Sequence, residues 1–223
     1  MNDIGSRVWL EIDLKKLRSN FQIIKKRVNP CKILSVLKAN AYGLGVQRIA
    51  KALSDSGTYG FGVAEINEAL ELKSLNKPVQ ILGAILPEEI KTAVMNDIII
   101  PICDFRTAKT VSEIALKVGR KTFCHLLIDS GMGRLGIPIE GAEKTICQIL
   151  NLRGIYLEGI YSHFPNAYQP NCPYTKSQIE KFKKLLVSLR QNGYKFKVIH
   201  MANSDAINNY PETFKHPFNT VRT

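Results

Sequence analysis

Cysteine is scarce in this chain: Cys31, Cys103, Cys124, Cys147 and Cys172 are five in number, widely spread and never in a CxxC arrangement. That pattern excludes a disulfide framework and argues against a zinc site, so the thiols read as reduced core or surface groups. Cys124 and His125 are neighbours on an expected strand, where adjacent side chains point to opposite faces, and no metal ligands are assigned. Long apolar runs are missing too. None approaches the ~20 residues that a membrane helix requires, and no membrane partner is expected. The opening MNDIGSRVWLEIDL has no basic start followed by an apolar stretch, so no secretion signal is read and a cytoplasmic location is expected. The chain also lacks linkers rich in Pro, Gly or Ser, low-complexity tracts and short repeats, which favours a single domain over residues 1–223.

What is present suits a packed core: 45% of residues are hydrophobic and 22% charged. The formal net charge of +12 raises the question of a nucleic-acid partner. Lys15, Lys16, Lys25, Lys26, Arg27, Lys181, Lys183 and Lys184 fall mostly on the polar faces of expected helices, without interleaved aromatics to stack on bases. Solvated helix faces explain them, and no nucleic-acid partner is expected.

Periodicity gives the architecture. Val8–Ile12 reads as an initial strand. Leu14, Leu17, Phe21, Ile24 and Val28 then recur at spacings of three and four, the mark of an amphipathic helix. Ile33–Leu37 is an apolar run too short for a helix and reads as a buried strand. Further strands are expected at Tyr59–Val63, Val79–Leu82, Ile98–Ile102, Phe123–Ile128, Tyr156–Tyr161, Lys197–His200 and Asn219–Arg222, separated mostly by helical periodicity. Alternation of this kind implies βαβ units and a parallel sheet. Counted from Ile33–Leu37, the strands are about eight, the number that closes a barrel. The open-sheet alternative favours GxGxxG after the first strand, but Gly43-x-Gly45 is followed by no third glycine. The expected fold is therefore α/β, a (β/α)8 TIM-like barrel ending at or near the last strand.

In such a barrel the chemistry gathers at the carboxyl ends of the strands. Lys38, Arg134, His163, Asn203, Ser204 and Arg222 all follow strands and would face one mouth. Singly, each has an ordinary explanation: a snorkelling lysine, a helix cap at Asn203-Ser204, a core histidine, structural ion pairs. Together, an amine, two arginines and a serine-bearing helix start are what a phosphorylated aldehyde and an amino-acid carboxylate require. An amine forms Schiff bases, and N–H groups at a helix start bind phosphate.

The segments VLKANAYGLG, LLIDSGMGRLGI, YSHF, HMANSDA and FNTVR occur in an order that resembles the alanine racemases, and VWLEIDLKKLRSN and YGFGVAEINEAL extend the resemblance over essentially the whole chain. It implies pyridoxal 5′-phosphate carried on Lys38, which would also act as an acid/base group at the substrate Cα. Tyr42 and Ser204 would bind the phosphate, with Asn203 and His163 among the cofactor contacts. Arg222 would face the pyridine nitrogen, supported by His163 and His200. Arg134 and Met132 would meet the substrate. By the same resemblance the full-length enzyme is a homodimer that supplies D-alanine for peptidoglycan. Its second base is a tyrosine from the partner's C-terminal β domain, which is expected to be absent here, so that this chain is a truncated form inactive alone.

Two departures stand out. Leu127 occupies a position where many relatives carry a carbamylated lysine that orients the arginine of GMGRLG, and Tyr168 follows Ala167 where an acidic residue is usual. Two other readings keep the fold: a single-domain pyridoxal-phosphate carrier, and an amino-acid racemase of broader specificity.

Overall fold

A computed structural model describes residues 8–223. Eight parallel strands form the ring: β1 (Lys32–Val36), β2 (Gly60–Val63), β3 (Val79–Ile81), β4 (Ile100–Ile102), β5 (Thr122–Asp129) and, after the two-residue β6 (Ile137–Pro138) that pairs beside β5, β7 (Ile155–Tyr161), β8 (Val198–His200) and β9 (Thr220–Arg222). Ladders run in the orders β3-β2-β1-β9 and β4-β5-β7-β8. Two seams join these arcs. A parallel bridge links Gln80 to Ile99. At the other seam Asn219 N–H donates to Ile199 O at 3.1 Å, and its Oδ1 accepts from Ile199 N–H at 2.9 Å. The ring thus closes as a (β/α)8 barrel, with helices outside and a continuous apolar core between the layers.

All eight strands expected from Ile33 onward are present, each within two residues of its expected ends. The helix carrying Leu14, Leu17, Phe21, Ile24 and Val28 spans Leu14–Val28 and buries Phe21 and Val28. Asp13 caps it, its side chain accepting from Lys15 N–H at 2.8 Å and Lys16 N–H at 3.1 Å. The expected strand at Val8–Ile12 is not formed. Val8, Trp9 and Leu10 are solvent-exposed, and the segment joins no ladder of the barrel. A strand requires a ladder with a neighbouring strand, and hydrophobic alternation alone does not specify one.

The connection after β1 is unusual. Ala39, Asn40, Ala41 and Tyr42 take φ values of 51, 54, 54 and 56°, a complete left-handed turn built without glycine. Such a conformation costs roughly 1–2 kcal/mol per residue because Cβ crowds the following carbonyl oxygen. Hydrogen bonds offset the strain. Ala41 N–H donates to Leu37 O at 2.9 Å, Gly43 N–H to Ala39 O at 2.8 Å, and Gly45 N–H to Asn40 O at 3.0 Å. The Asn40 side chain accepts from Val46 N–H at 2.7 Å, and Glu68 accepts from both Ala39 N–H at 2.5 Å and Ala64 N–H at 2.7 Å. Glu68 therefore ties the start of the turn to the end of β2.

Ala39→Gly has the opposite effect here from glycine in a right-handed helix. Relief of the left-handed penalty exceeds the extra unfolded-chain entropy, and the unfolding free energy rises by about 0.5–1 kcal/mol. Urea denaturation measures this; a decrease of similar size would refute the strain assignment.

Candidate active site

A cavity of about 410 Å³ opens at the carboxyl ends of the strands. Lys38, Tyr42, Met132, Arg134, His163, Asn203, Ser204 and Arg222 all line it, so every site residue expected from sequence except His200 shares one space. His200 lies immediately behind, fully buried against Arg222. Val36, Leu82, Leu127 and Ile128 supply apolar wall.

The local folding explains how these side chains arrive. Lys38 stands where β1 passes into the left-handed turn, with its Nζ 5.8 Å from the centre of the Tyr42 ring. Arg134 is carried by a loop that Asp129 folds back: its carboxylate accepts from Gly131 N–H at 2.9 Å and from Gly133 N–H at 3.0 and 3.1 Å. Gly136 ends that loop at φ 120°, where a Cβ would lie 2.8 Å from Asp129 N. Asn203 caps the helix Ser204–Asn209, its Oδ1 accepting from Ala206 N–H at 2.9 Å. The cap explanation thus holds for Asn203, whose oxygen is committed, while the Ser204 hydroxyl has no partner among the described residues.

Arg222 is the most constrained member. It ends β9, is 5% exposed, and donates from Nη2 to Ser162 O at 2.9 Å, Met201 O at 3.3 Å and His163 Nδ1 at 3.1 Å. Nη1 donates to His200 Nδ1. His163 and His200 therefore do support Arg222, and Nε has no partner among the described residues. Burial lowers the guanidinium to about 10, still well above neutrality, so it stays charged. Arg134, by contrast, is exposed and makes no hydrogen bond or ion pair among the described residues, and Leu127 across the cavity offers it none. The loop after Ala167 is held by Asn209, whose Nδ2 donates to Ala167 O at 2.9 Å and Tyr168 O at 3.2 Å, so an acidic side chain is not needed there.

Three cations face one cavity in which Asp205 is the only Asp or Glu side chain among the described residues. The field registers on His163, whose imidazole is lowered to about 3 by burial and then by Arg222, Arg134 and Lys38. A site so charged calls for an anionic ligand. Sequence reasoning missed Asp205, Tyr161, which lines the cavity and faces the Arg222 guanidinium at 5.7 Å, and Glu68 behind the turn. Only Glu68 left a trace, as the acidic residue of an early helix turn in YGFGVAEINEAL.

The chain matches the family model described as alanine racemase, N-terminal domain, over residues 12–223. It is similar to an alanine racemase of Methanococcus maripaludis, 37% identical over 214 residues that make up 94% of this chain and 57% of that protein. Among solved structures it is similar to the alanine racemase of Clostridium difficile 630 in complex with cycloserine, at TM-score 0.93 and 33% identity over 98% of this chain and 60% of that one. It is also similar to the alanine racemase of Bartonella henselae with covalently bound pyridoxal phosphate, at TM-score 0.83 and 27% identity over 95% and 57% of the two chains. The chain thus spans little more than half the length of these relatives.

His163 should stay neutral across the ordinary range. In an NMR titration its ring protons hold a neutral position from pH 8 down to about 4. Because the unfolded chain protonates this group near ~6.5, it binds the extra proton first, and the contribution to stability present above that pH is lost as pH falls from ~6.5 toward 3. A His163 transition near 6.5 in the folded protein would contradict the cationic field.

Proposed function

The chain belongs to the family of alanine racemase N-terminal domains, and from that premise we propose that it holds pyridoxal 5′-phosphate on Lys38 and that the longer protein interconverts L- and D-alanine. The observation that carries this reading is the convergence of Lys38, Arg134 and Arg222 on one cavity that Asp205 alone among the described Asp and Glu residues faces. The residues fit the cofactor. The free Ser204 hydroxyl and Tyr42 suit the phosphate, the free Nε of Arg222 suits a ring nitrogen acceptor, and the amine of Lys38 suits the aldehyde.

When bound, the cofactor supplies a conjugated ring that takes up the electron pair left at the substrate Cα. Arg222, charged at neutral pH, would hold the ring nitrogen through a donated hydrogen bond and keep its own proton. That restrains electron withdrawal and favours simple proton return over other fates of the substrate. Arg134 takes the substrate carboxylate in a two-pronged hydrogen bond. Lys38 Nζ moves a proton at Cα on its own face. The apolar wall of Val36, Leu82, Leu127 and Ile128 excludes water from that proton.

Racemisation takes a second proton carrier on the opposite face. In this proposal a homodimer supplies it, a tyrosine of the partner subunit closing over the open mouth of the barrel. In this reading the product serves cell-wall synthesis and the protein works in the cytoplasm.

Incubation with pyridoxal phosphate should give a yellow chromophore that borohydride fixes on Lys38, identified by peptide mass. Lys38→Ala should abolish the labelled peptide. Ser204→Ala should weaken cofactor binding by roughly tenfold or more, as expected for the loss of a hydrogen bond to a charged group. Labelling that ignores Lys38→Ala would overturn the assignment.

A further inference from the structure

Beneath Arg222 the barrel core carries polar groups that the site itself does not use. His200 and His125 are 0% and 1% exposed, with their rings 6.2 Å apart in an edge-to-face arrangement. Tyr161 stacks on His200 at 4.9 Å and 8°, fixing the plane of that ring. Both nitrogens of His125 and Nε2 of His200 are buried without a hydrogen-bond partner. At the far side His125 Nε2 lies 3.8 Å from Glu158 Oε2, and Glu158 Oε1 lies 3.9 Å from Lys197 Nζ.

This placement is built into the sheet. The register of β5 against β7 slips between Cys124, opposite Leu157, and His125, opposite Gly159, so Glu158 is the extra residue of a bulge. Bulges re-aim side chains, and this one brings a carboxylate to a core imidazole. Gly159 makes the room: a Cβ there would stand 2.8 Å from the His125 ring.

Hydrogen counting gives the direction. A guanidinium has only hydrogens to offer, so His200 Nδ1, bonded to Arg222, must present a lone pair. The proton of neutral His200 then sits on Nε2, a buried donor that needs an acceptor. His125 is the neighbouring core ring, 6.2 Å away between centroids, and has two unpartnered nitrogens, one of which can present a lone pair. If its Nδ1 accepts, its proton is on Nε2, the nitrogen facing Glu158.

We propose that His125 and Glu158 are positioning residues for Arg222: the file Arg222, His200, His125, Glu158, closed directly or through single waters, points every hydrogen toward the carboxylate and locks the His200 lone pair onto the guanidinium. Arg222 has no carboxylate partner among the described residues, and Glu158 provides the negative end of its support. His125 holds the Glu158 carboxyl below its usual range against the opposing effect of burial, and Lys197 and Lys32 add to this, keeping it charged. The consequence for cofactor binding rests on the function proposed above; the tautomers do not.

The test is long-range proton–nitrogen NMR of the chain with no cofactor added, which resolves its four histidines, His125, His163, His200 and His216. Wild type should show His200 and His125 each protonated at Nε2 alone. Glu158→Gln, which keeps shape and removes charge, should convert His200 to a mixture of tautomers, while Glu158→Asp keeps the wild-type pattern. His125→Phe provides the same reading of His200 should Glu158→Gln not fold. A wild-type His200 protonated at Nδ1, or a His200 pattern unchanged in both Glu158→Gln and His125→Phe, overturns the proposal. With pyridoxal phosphate added, Glu158→Gln should bind about tenfold more weakly than wild type, the scale of losing support behind a binding group. Absence of binding in wild type with the tautomer result intact would count against the proposed function, not against the file.

Discussion

A buried guanidinium organises the upper half of this barrel. Arg222 ends the last strand, and its hydrogen bonds reach Ser162 and His163 after β7 and His200 and Met201 at the end of β8. A charge removed from water costs several kcal/mol unless its hydrogens are satisfied, so these partners are a condition of folding. They also bring three strand ends to fixed positions around one cavity. The seam where β8 meets β9 has no ladder and is closed by Asn219. Arg222 binds the two sides of that seam together directly above it.

The other wall of the site is made differently. Lys38 is presented by a turn that four residues adopt against their own preference, held by the Asn40 side chain and by Glu68. A conformation of this kind persists only where its surroundings over-determine it, and such places are commonly functional. The strain has a geometric result: the chain leaves β1 and reverses within one turn, so Lys38 and Tyr42 both face the cavity. A right-handed turn at the same place would send these two side chains elsewhere.

Much of this could be read from the residues. The eight strands announced themselves as short apolar runs, and the site residues as polar positions just after them, since both follow from burial and from barrel geometry. The parts that could not be read depend on partners distant in the chain. Val8–Ile12 has strand chemistry but joins none of the barrel's ladders. The left-handed turn is written in Ala, Asn and Tyr, and alanine and tyrosine carry no signal for positive φ. The bulge that points Glu158 at His125 arises from register between β5 and β7, which no local pattern encodes. Asn203 satisfied both of its readings, as cap and as cavity wall, because a helix that starts at a site places its cap there too.

The contrast between the two arginines shows what the fold must specify and what it can leave to a ligand. Arg222 is buried, so its hydrogens need acceptors before any ligand arrives, and both terminal nitrogens find them in Ser162, His163, His200 and Met201. Arg134 is exposed, and water satisfies it at no cost; exposed ion pairs are worth only ~0–1 kcal/mol, so Leu127 in place of a charged partner sacrifices little stability. Asp129 and the glycines around it fix the backbone of Arg134 while leaving its guanidinium unbound. The orientation of that group is therefore set by whatever anion enters the cavity, whereas the orientation of Arg222 is already set. A site arranged in this way is rigid around Arg222 and adaptable around Arg134.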